Sequence, residues 1–261
     1  MELKFLEKKE TEARFLLHGV PASFANALRR IMVGEVPKMA VAELNIYENN
    51  SALYDEMLGL RLALVPLKTP PDGFVLPAEC SCGGQGCASC QVTLTLSADG
   101  PRTVLSRDLL SSDPRVAPAD GNVPLIRLKQ GQRVYLEAFA RLGRGRDHAK
   151  WQPVVAAGYK EVPRVKVKGV SNWERVAASC PVKVFAEEPG KVRDEMACTF
   201  CGECMVVCEP KGSVQVTPER DAFLFTFETD GSLPAAEVLR RAVEILKSKA
   251  EGLKAAIGDK S

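Results

Sequence analysis

The sequence predicts an α+β fold, and three observations lead to that class. QVTLTLSA (91–98) and DAFLFTFETDG (221–231) alternate polar and apolar residues, as half-buried strands do. PASFANALRRIMVGEVP (21–37) and LPAAEVLRRAVEILKSKAEGLKAAIG (233–258) instead repeat apolar residues at helical spacing. The chain has 261 residues, of which 46% are hydrophobic. It is therefore long and apolar enough to bury a core, in one large domain or in two to three small ones.

The first elements are predicted to be two strands, a helix and a third strand. Residues 3–20 have the pattern strand, turn, strand, and close at Gly19. In the helix that follows, Ser23 is predicted to be the N-cap, and Gly34 is expected to end the last turn. MAVAELNIYEN (39–49) is then predicted to be a strand.

A second helix and two further strands are predicted in the middle of the chain. SALYDEMLGLRLALVPL (51–67) is predicted to be a helix that Pro66 stops. Residues 70–90 form a loop rich in proline, glycine and cysteine, and VYLEAFARLG (134–143) is a further strand besides 91–98. The predicted apolar face of the helix consists of Leu53, Met57, Leu58 and Leu64.

The overall charge and the cysteine count limit the possible classes of protein. The 35 basic and 33 acidic side chains nearly balance, which argues against a protein that coats nucleic acid through bulk charge. No apolar run approaches the roughly 18 residues that span a membrane. MELKFLEKKE at the start does not have the pattern of a signal peptide. We therefore expect a cytoplasmic protein, in which nine cysteines are more typical of metal ligands than of disulfides.

Residues 141–168 form a basic run. This segment contains eight lysines and arginines, and its acidic residues are Asp147 and Glu161. Such a run is most often a solvated face or a docking surface for an acidic partner, and contact with a phosphate backbone is the less favoured alternative. His148 has no companion ligand at metal spacing, so we interpret it as structural. The eight basic residues are Arg141, Arg144, Arg146, Lys150, Lys160, Arg164, Lys166 and Lys168.

Two helices carry apolar stripes that suit a partner chain. In the first helix the stripe is Phe24, Leu28 and Ile31, for which packing on the chain's own sheet is the alternative. The last helix, with Pro234 predicted in its first turn, has a stripe longer than a small sheet needs, which favours a second chain across it. Its members are Ala235, Val238, Leu239, Ala242, Ile245, Leu246, Leu253 and Ile257.

The first cysteine cluster, CSCGGQGCASC, places four thiols within eleven residues. Four thiolates at this density are able to surround one tetrahedral metal ion, and the intervening glycines let the loop fold tightly. We favour one structural zinc ion, with a vacant reduced cluster or an iron centre as alternatives. The predicted ligands are Cys80, Cys82, Cys87 and Cys90.

The second cluster, CTFCGECMVVCEP (198–210), has the C-x2-C-x2-C-x3-C spacing of bacterial ferredoxins. In that pattern the first three cysteines bind one cluster and the fourth binds a neighbouring cluster. A fourth ligand for the first cluster must then come from elsewhere, and Cys180 is the one cysteine left, followed by proline as in a ferredoxin repeat. We predict one iron–sulfur cluster, with 4Fe–4S favoured and 3Fe–4S possible. Its ligands would be Cys198, Cys201, Cys204 and Cys180.

The space of a second iron–sulfur cluster is predicted to be filled by apolar side chains. Counting back from Cys180 by the ferredoxin spacing leads to Val176, Trp173 and Val170. Cys208 would therefore be a leftover thiol without a cluster. A single cluster in apolar surroundings makes a poor electron relay, which favours a structural or sensing role.

Four segments resemble a known family and occur in its order along the chain. They are FANALRRIMVGEVP (24–37), NNSALYDEMLGLRLALVPL (49–67), HAKWQPV (148–154) and FTFETDGSLPAAEVLRRAVEIL (225–246). Together they resemble the D subunit of archaeal DNA-directed RNA polymerase, the counterpart of the bacterial alpha subunit and of the third-largest eukaryotic subunit. The matches run from near residue 5 to near residue 255 and so cover nearly the whole chain.

The resemblance implies a division into three domains. An alpha-type dimerisation domain would be discontinuous, formed by 1–41 and 215–261 with 160–169 bordering it. An inserted, mainly β domain would occupy 42–163 and carry the cysteine loop 80–90, which is similar to the zinc loop of the eukaryotic counterpart. A small ferredoxin-like iron–sulfur domain would occupy 170–214.

The resemblance also implies partners. The chain would form a heterodimer with the small subunit L, and this pair would be the platform for the small subunits N and P and the large catalytic subunits. Contact with DNA would occur only through the whole enzyme, and no contact with a membrane is expected. The implied interface with subunit L consists of Phe24, Leu28, Ile31, Val238, Ala242 and Ile245.

The predicted function is that of a non-catalytic assembly subunit of DNA-directed RNA polymerase. No segment has the clustered aspartates that would hold Mg²⁺ for nucleotidyl transfer, so that chemistry belongs to other subunits. Because of the ferredoxin-type spacing, two alternatives stay open: an electron carrier, and a redox or iron sensor that controls polymerase assembly.

Overall fold

The computed structural model describes residues 1–258, and these form ten strands and five α-helices. The mixed α and β composition predicted from the sequence is confirmed. The strands are β1 (Glu2–Lys8), β2 (Glu12–His18), β3 (Lys38–Asn49), β4 (Gln91–Asp99), β5 (Arg102–Leu105), β6 (Leu110–Ser111), β7 (Pro124–Leu128), β8 (Arg133–Gly143), β9 (Val154–Val167) and β10 (Val214–Thr229). The helices are α1 (Ala22–Gly34), α2 (Asp55–Ala63), α3 (Trp173–Ser179), α4 (Glu203–Val207) and α5 (Ala235–Gly258).

Two four-stranded sheets and one strand pair organise the chain. The first sheet has the order β1-β2-β10-β9, the second has the order β3-β8-β4-β6, and β5 pairs with β7. In the second sheet, β8 runs antiparallel to both neighbours, so that Ala138 pairs with Leu44 on one side and with Leu94 on the other. The alternation read in 91–98 is confirmed, since every second residue of β4 from Val92 to Ala98 is buried.

The contacts within the chain divide it into two compact units. The first unit comprises 1–6, 14–25 and 158–226 and contains most of the first sheet, with α3 and α4. The second unit comprises 7–13, 26–157 and the residues from Phe227 onward, and contains the second sheet with α2 and α5. The three-domain division implied by the family resemblance partitions the chain differently and stays a prediction.

Helix α2 covers the core of the second unit with a different face from the predicted one. Leu58 and Leu62, one turn apart, are fully buried against the second sheet. Met57 is 49% exposed and Leu64 is 55% exposed, so their assignment to the buried face is wrong. The physical reason for Leu64 is that the helix already ends at Ala63, before the last leucine of the pattern.

The starts of α1 and α5 also differ from the predictions. In each helix, the carbonyl of the proline just before the first helical residue accepts the first backbone N–H groups of the helix. In α1 the N–H groups of Phe24 and Ala25 donate to the carbonyl of Pro21 at 3.0 and 3.3 Å. The prediction that Ser23 is the N-cap is therefore wrong, since Ser23 lies inside the first turn. In α5 the carbonyl of Pro234 accepts the N–H groups of Glu237 and Val238, so Pro234 immediately precedes the helix.

In the first unit, aromatic side chains hold the strands of the first sheet together. Phe15 of β2 stacks on Phe225 of β10 with ring centroids 5.0 Å apart, and Tyr159 of β9 stacks on Phe225 at 5.1 Å. Both phenylalanines are fully buried. None of the helices within residues 1–258 is long and apolar enough to cross a membrane.

Candidate functional site

The first cysteine loop connects a 3₁₀ turn, Pro77–Glu79, to the start of β4. All three of its glycines adopt backbone conformations that other residues rarely take, with φ of +65° at Gly83, +82° at Gly84 and +95° at Gly86. A Cβ atom on Gly84 would also lie only 3.3 Å from the carbonyl oxygen of Pro77. The tight path of the loop, which brings the cysteines together, therefore depends on these glycines.

The four thiols of this loop converge to within single-ion distance. The Sγ atom of Cys82 lies 3.4 Å from that of Cys80 and 3.6 Å from that of Cys90, and the Sγ atom of Cys87 lies 3.5 Å from Cys80 and 3.9 Å from Cys90. Zinc bound by four sulfurs at about 2.3 Å would place those sulfurs about 3.8 Å apart. The donor set and its spacing thus fit one tetrahedral ion, and these four residues are able to bind a metal.

The charge state of the loop favours a cation. The backbone N–H of Cys87 and the thiol of Cys80 lower the pKa of Cys82 to about 5. Burial raises the pKa of Cys90 above its ordinary value. The lowered pKa of Cys82 favours the thiolate, the form that binds a metal ion, and such an ion would have to displace protons from neighbouring thiols.

The structure brings the second predicted set of cysteines around one cavity in the first unit. Cys180, Cys198, Cys201 and Cys204 all line it, although Cys180 lies 18 or more residues before the others. The cavity has a volume of about 10 Å³ and is partly open to solvent. The other lining residues are mostly apolar: Val165, Val182, Val184, Phe185, Val216, Thr199 and Gly202.

Local structure fixes the positions of three of these cysteines. Cys180 directly follows α3, Cys204 lies within α4, and Cys198 follows the 3₁₀ turn Glu195–Ala197. Asp194 caps that turn, because its Oδ1 atom accepts two backbone N–H groups of the turn at 3.0 and 3.3 Å. No pattern in the sequence pointed to Asp194.

The four thiols around the cavity are spaced more widely than a single ion requires. Among residues 1–258, only the set at 80–90 has sulfurs that all lie within 4.8 Å of one another. Burial, and then the nearby thiols of Cys198, Cys201 and Cys180, raise the pKa of Cys204 to about 11. The four cysteines therefore line one common cavity, and four cysteine thiolates are a donor set that fits an iron–sulfur cluster.

Cys208 lies in the apolar core of this region and outside the residues that line the cavity. It is fully buried and belongs to the same cluster as Trp173 and Val176, with Val170 packed against that cluster. Burial raises its pKa, but the backbone N–H of Val214 and further hydrogen bonds outweigh burial, so that the net pKa is lowered. That Cys208 is a leftover thiol without a cluster stays a prediction.

The family follows from the comparison of the whole chain with known proteins. Residues 14–250 match the family described as RNA polymerase Rpb3/Rpb11 dimerisation domain. The chain belongs to this family. The predicted membership of an RNA polymerase family is thereby confirmed, and with it a function as part of the DNA-directed RNA polymerase complex.

Individual members of the Rpb3/Rpb11 family match over nearly their full length. The chain is 46% identical over 256 residues to the DNA-directed RNA polymerase subunit Rpo3 of Methanosarcina acetivorans, covering 96% of each chain. It is 44% identical over 253 residues to Rpo3 of Archaeoglobus fulgidus, covering 96% of this chain and 95% of that one. It is 40% identical over 258 residues to Rpo3 of Pyrococcus horikoshii, with the same coverage of 96% and 95%.

In this family member, much of the basic run 141–168 is paired within the chain. His148 accepts the backbone N–H of Lys150 at 3.0 Å and so has the structural role predicted for it. The run thereby offers fewer unpaired charges to nucleic acid than the sequence suggests. The internal partners are Glu43 for Arg141, Glu79 for Arg144, Glu35 for Arg146, Glu195 and Glu219 for Arg164, and backbone carbonyls for Lys160.

The residues predicted to face subunit L are mostly covered by the chain itself. Leu28, Ile31, Val238 and Ala242 are buried, whereas Phe24 and Ile245 are half-buried. The buried stripe of α5 continues towards its C-terminus, where Leu253 is 64% exposed and Ile257 is 66% exposed. Burial of the first turns of the stripe could not be foreseen, because helical spacing does not reveal which chain covers an apolar face.

Proposed function

We propose that the chain is the assembly platform of a DNA-directed RNA polymerase, pairing with the small subunit L. The pair would carry the small subunits N and P and the large catalytic subunits, and would meet DNA only through the whole enzyme in the cytoplasm. The family match and the Rpo3 relatives support this proposal. The single observation that carries it is the apolar stripe of α5, which extends beyond the part that the chain buries.

The exposed end of α5 has the features of a helix that packs on another chain. The stripe from Val238 and Ala242 through Leu246 to Leu253 and Ile257 keeps helical spacing along one face. Its first members are buried and its last members are exposed. A face of this kind would leave large aliphatic side chains in water without a partner, and a second helix would bury them.

We expect the double substitution Leu253→Asp and Ile257→Asp to weaken pairing with subunit L by at least about tenfold, because two carboxylates would be buried in an apolar contact. Binding of purified subunit L would be measured by calorimetry or by co-purification. Lys247→Asp, at an exposed position off the apolar stripe of α5, is the matched control and should leave binding unchanged. Equal affinity for the wild type and the double variant would contradict the proposed interface.

The cavity lined by Cys180, Cys198, Cys201 and Cys204 is proposed to hold one iron–sulfur cluster, with 4Fe–4S favoured and 3Fe–4S possible. Four cysteine thiolates are the ligand set that such clusters use, and the apolar lining would shield the cluster from water. When bound, the cluster would crosslink α3, α4 and the turn at 195–197. The packed core beside it, where a ferredoxin-like domain would place a second cluster, supports a structural role over electron transfer.

The loop at 80–90 is proposed to hold one structural zinc ion. All four ligands are cysteines, so the site would have no open coordination position for catalysis. Cys90 directly precedes β4, so a bound ion would fasten the loop to the start of this strand in the second sheet. The glycines at positive φ support this role, because they shape the loop around the four sulfurs.

We expect protein purified without oxygen to contain about four iron atoms, about four sulfide ions and about one zinc ion per chain. Metal analysis and acid-labile sulfide assays would measure these contents. A value near three iron atoms would indicate a three-iron centre. A value near eight would mean that the 80–90 loop also holds iron and that electron transfer must be reconsidered.

A further inference from the structure

Lys160, in the middle of β9, reaches across to the segment that carries one of the proposed iron–sulfur ligands. Its Nζ atom donates to the carbonyl oxygens of Met196 and Cys198, each at 2.6 Å. The lysine and these acceptors are 36 and 38 residues apart in sequence, so sequence spacing gave no sign of the contact. In the sequence analysis Lys160 was only one member of a basic run.

Two other residues on the same face of β9 also hold this segment. Val162 is fully buried in a small core against which Met196 packs, and Arg164 contacts the carboxylate of Glu195 at 3.4 Å. Residues 160, 162 and 164 share a face because side chains alternate along a strand. Three contacts therefore hold the turn at 195–197 on the first sheet. Lys160 and Arg164 make charged contacts, and Val162 between them makes an apolar one.

The contact made by Lys160 differs from the other two because it includes the ligand residue itself. A lysine ammonium that donates to two carbonyls fixes the backbone on both sides of Ala197 and so limits where the Sγ atom of Cys198 points. Groups that hold metal ligands from outside affect both affinity and electronic properties. A positive charge close to a cluster also alters its reduction potential, which depends on net charge and hydrogen bonding.

We propose that Lys160 is a positioning residue for the iron–sulfur cluster, which fixes the backbone of Cys198 and thereby couples the cluster to the first sheet. This inference rests on the proposed iron–sulfur centre. It goes beyond that proposal because it assigns a role to a residue that provides no ligand atom. The basic run would then act partly inside the chain, as an anchor for the cluster loop.

The first experiment tests the anchor before any cluster is loaded. Full-length wild-type protein and Lys160→Met would be treated with iodoacetamide in the absence of iron, and alkylation would be followed at each cysteine by mass spectrometry. We expect Cys198 to react about tenfold faster in Lys160→Met, because a lost charge-assisted hydrogen bond shifts local opening by about that factor. Exposed Cys201 is the internal reference, and an unchanged ratio of the two rates would overturn the inference.

The second experiment tests the cluster itself. After anaerobic reconstitution, Lys160→Met should lose iron to a chelator about tenfold faster than wild type. It should also change the electron paramagnetic resonance spectrum, which a purely structural defect elsewhere would not do. Lys160→Arg, which keeps the charge and two donors, should restore most of the wild-type behaviour. Lys166→Met, an exposed lysine of the same strand, is the control and should behave as wild type.

The outcomes separate this inference from the proposed centre. If wild-type protein binds iron and Lys160→Met is unchanged in release rate and spectrum, the positioning role of Lys160 is wrong while the centre stands. If the wild type itself binds no iron, the centre is wrong and the inference falls with it.

Discussion

Replacing Cys180 with alanine is expected to lower the iron content from about four to about three atoms per chain or fewer. Cys180 lines the cavity together with Cys198, Cys201 and Cys204, so its removal would leave a three-thiolate site. Three cysteines are able to hold a three-iron centre, and the link between α3 and the cluster would be lost. Iron and sulfide analysis with electron paramagnetic resonance would distinguish the centres.

Cys208→Ala is the matched control for this prediction. Cys208 is buried in the neighbouring apolar core and does not line the cavity, so its loss should leave the iron content unchanged. The reverse result, with iron lost from Cys208→Ala and kept in Cys180→Ala, would show that the continuous ferredoxin motif supplies all four ligands. Assembly of both variants into the polymerase would further show whether the cluster controls assembly, as a sensor would, or only stabilises the subunit.

Replacing Asp230 with alanine is expected to destabilise the second unit by about 3–5 kcal/mol, because it leaves a buried charge without its partner. Lys38 is only 3% exposed and forms a salt bridge with Asp230, 192 residues later in the chain. Asp230 also accepts the backbone N–H of Ser232 at 3.0 Å and so fixes the turn before α5. Urea unfolding followed by circular dichroism would measure the loss.

Two controls separate charge burial from other effects of the substitution. Lys38→Met combined with Asp230→Leu should recover the part of the lost stability that comes from the unpaired lysine, since an apolar pair has no charge to desolvate. Asp147→Ala removes an exposed carboxylate that lies 3.6 Å from Arg146, and should change stability by less than about 1 kcal/mol. If Asp230→Ala were as stable as Asp147→Ala, the buried pair would contribute nothing to folding.

The two proposed metal sites share a role that suits a polymerase component without an active site. In each, cysteines from loops or element ends converge, and a bound metal would fasten these segments to one another. The zinc site is local, within eleven residues, whereas the proposed iron–sulfur site joins distant segments. Loss of iron is therefore expected to disturb the first unit more widely than loss of zinc disturbs the 80–90 loop.

Features formed by residues that lie close together in the sequence could be predicted from the sequence alone. The alternation in 91–98 specified β4 and its buried face, because successive side chains of a strand point to opposite sides. The spacing of Cys80, Cys82, Cys87 and Cys90 was enough to predict a convergent set of thiols, since a glycine-rich loop of this length has few other compact paths. The family was also readable, because its four segments are contiguous stretches in a fixed order.

Contacts between distant groups became visible only in the folded chain. Helix α2 buries Leu58 and Leu62 while Met57 and Leu64 face solvent, and the chain itself covers the first turns of the α5 stripe. Apolar spacing identifies a face but not the surface that covers it. The pairing of Lys38 with Asp230 and the contact of Lys160 with Cys198 were likewise not visible in the sequence, because packing sets contacts between residues far apart along the chain.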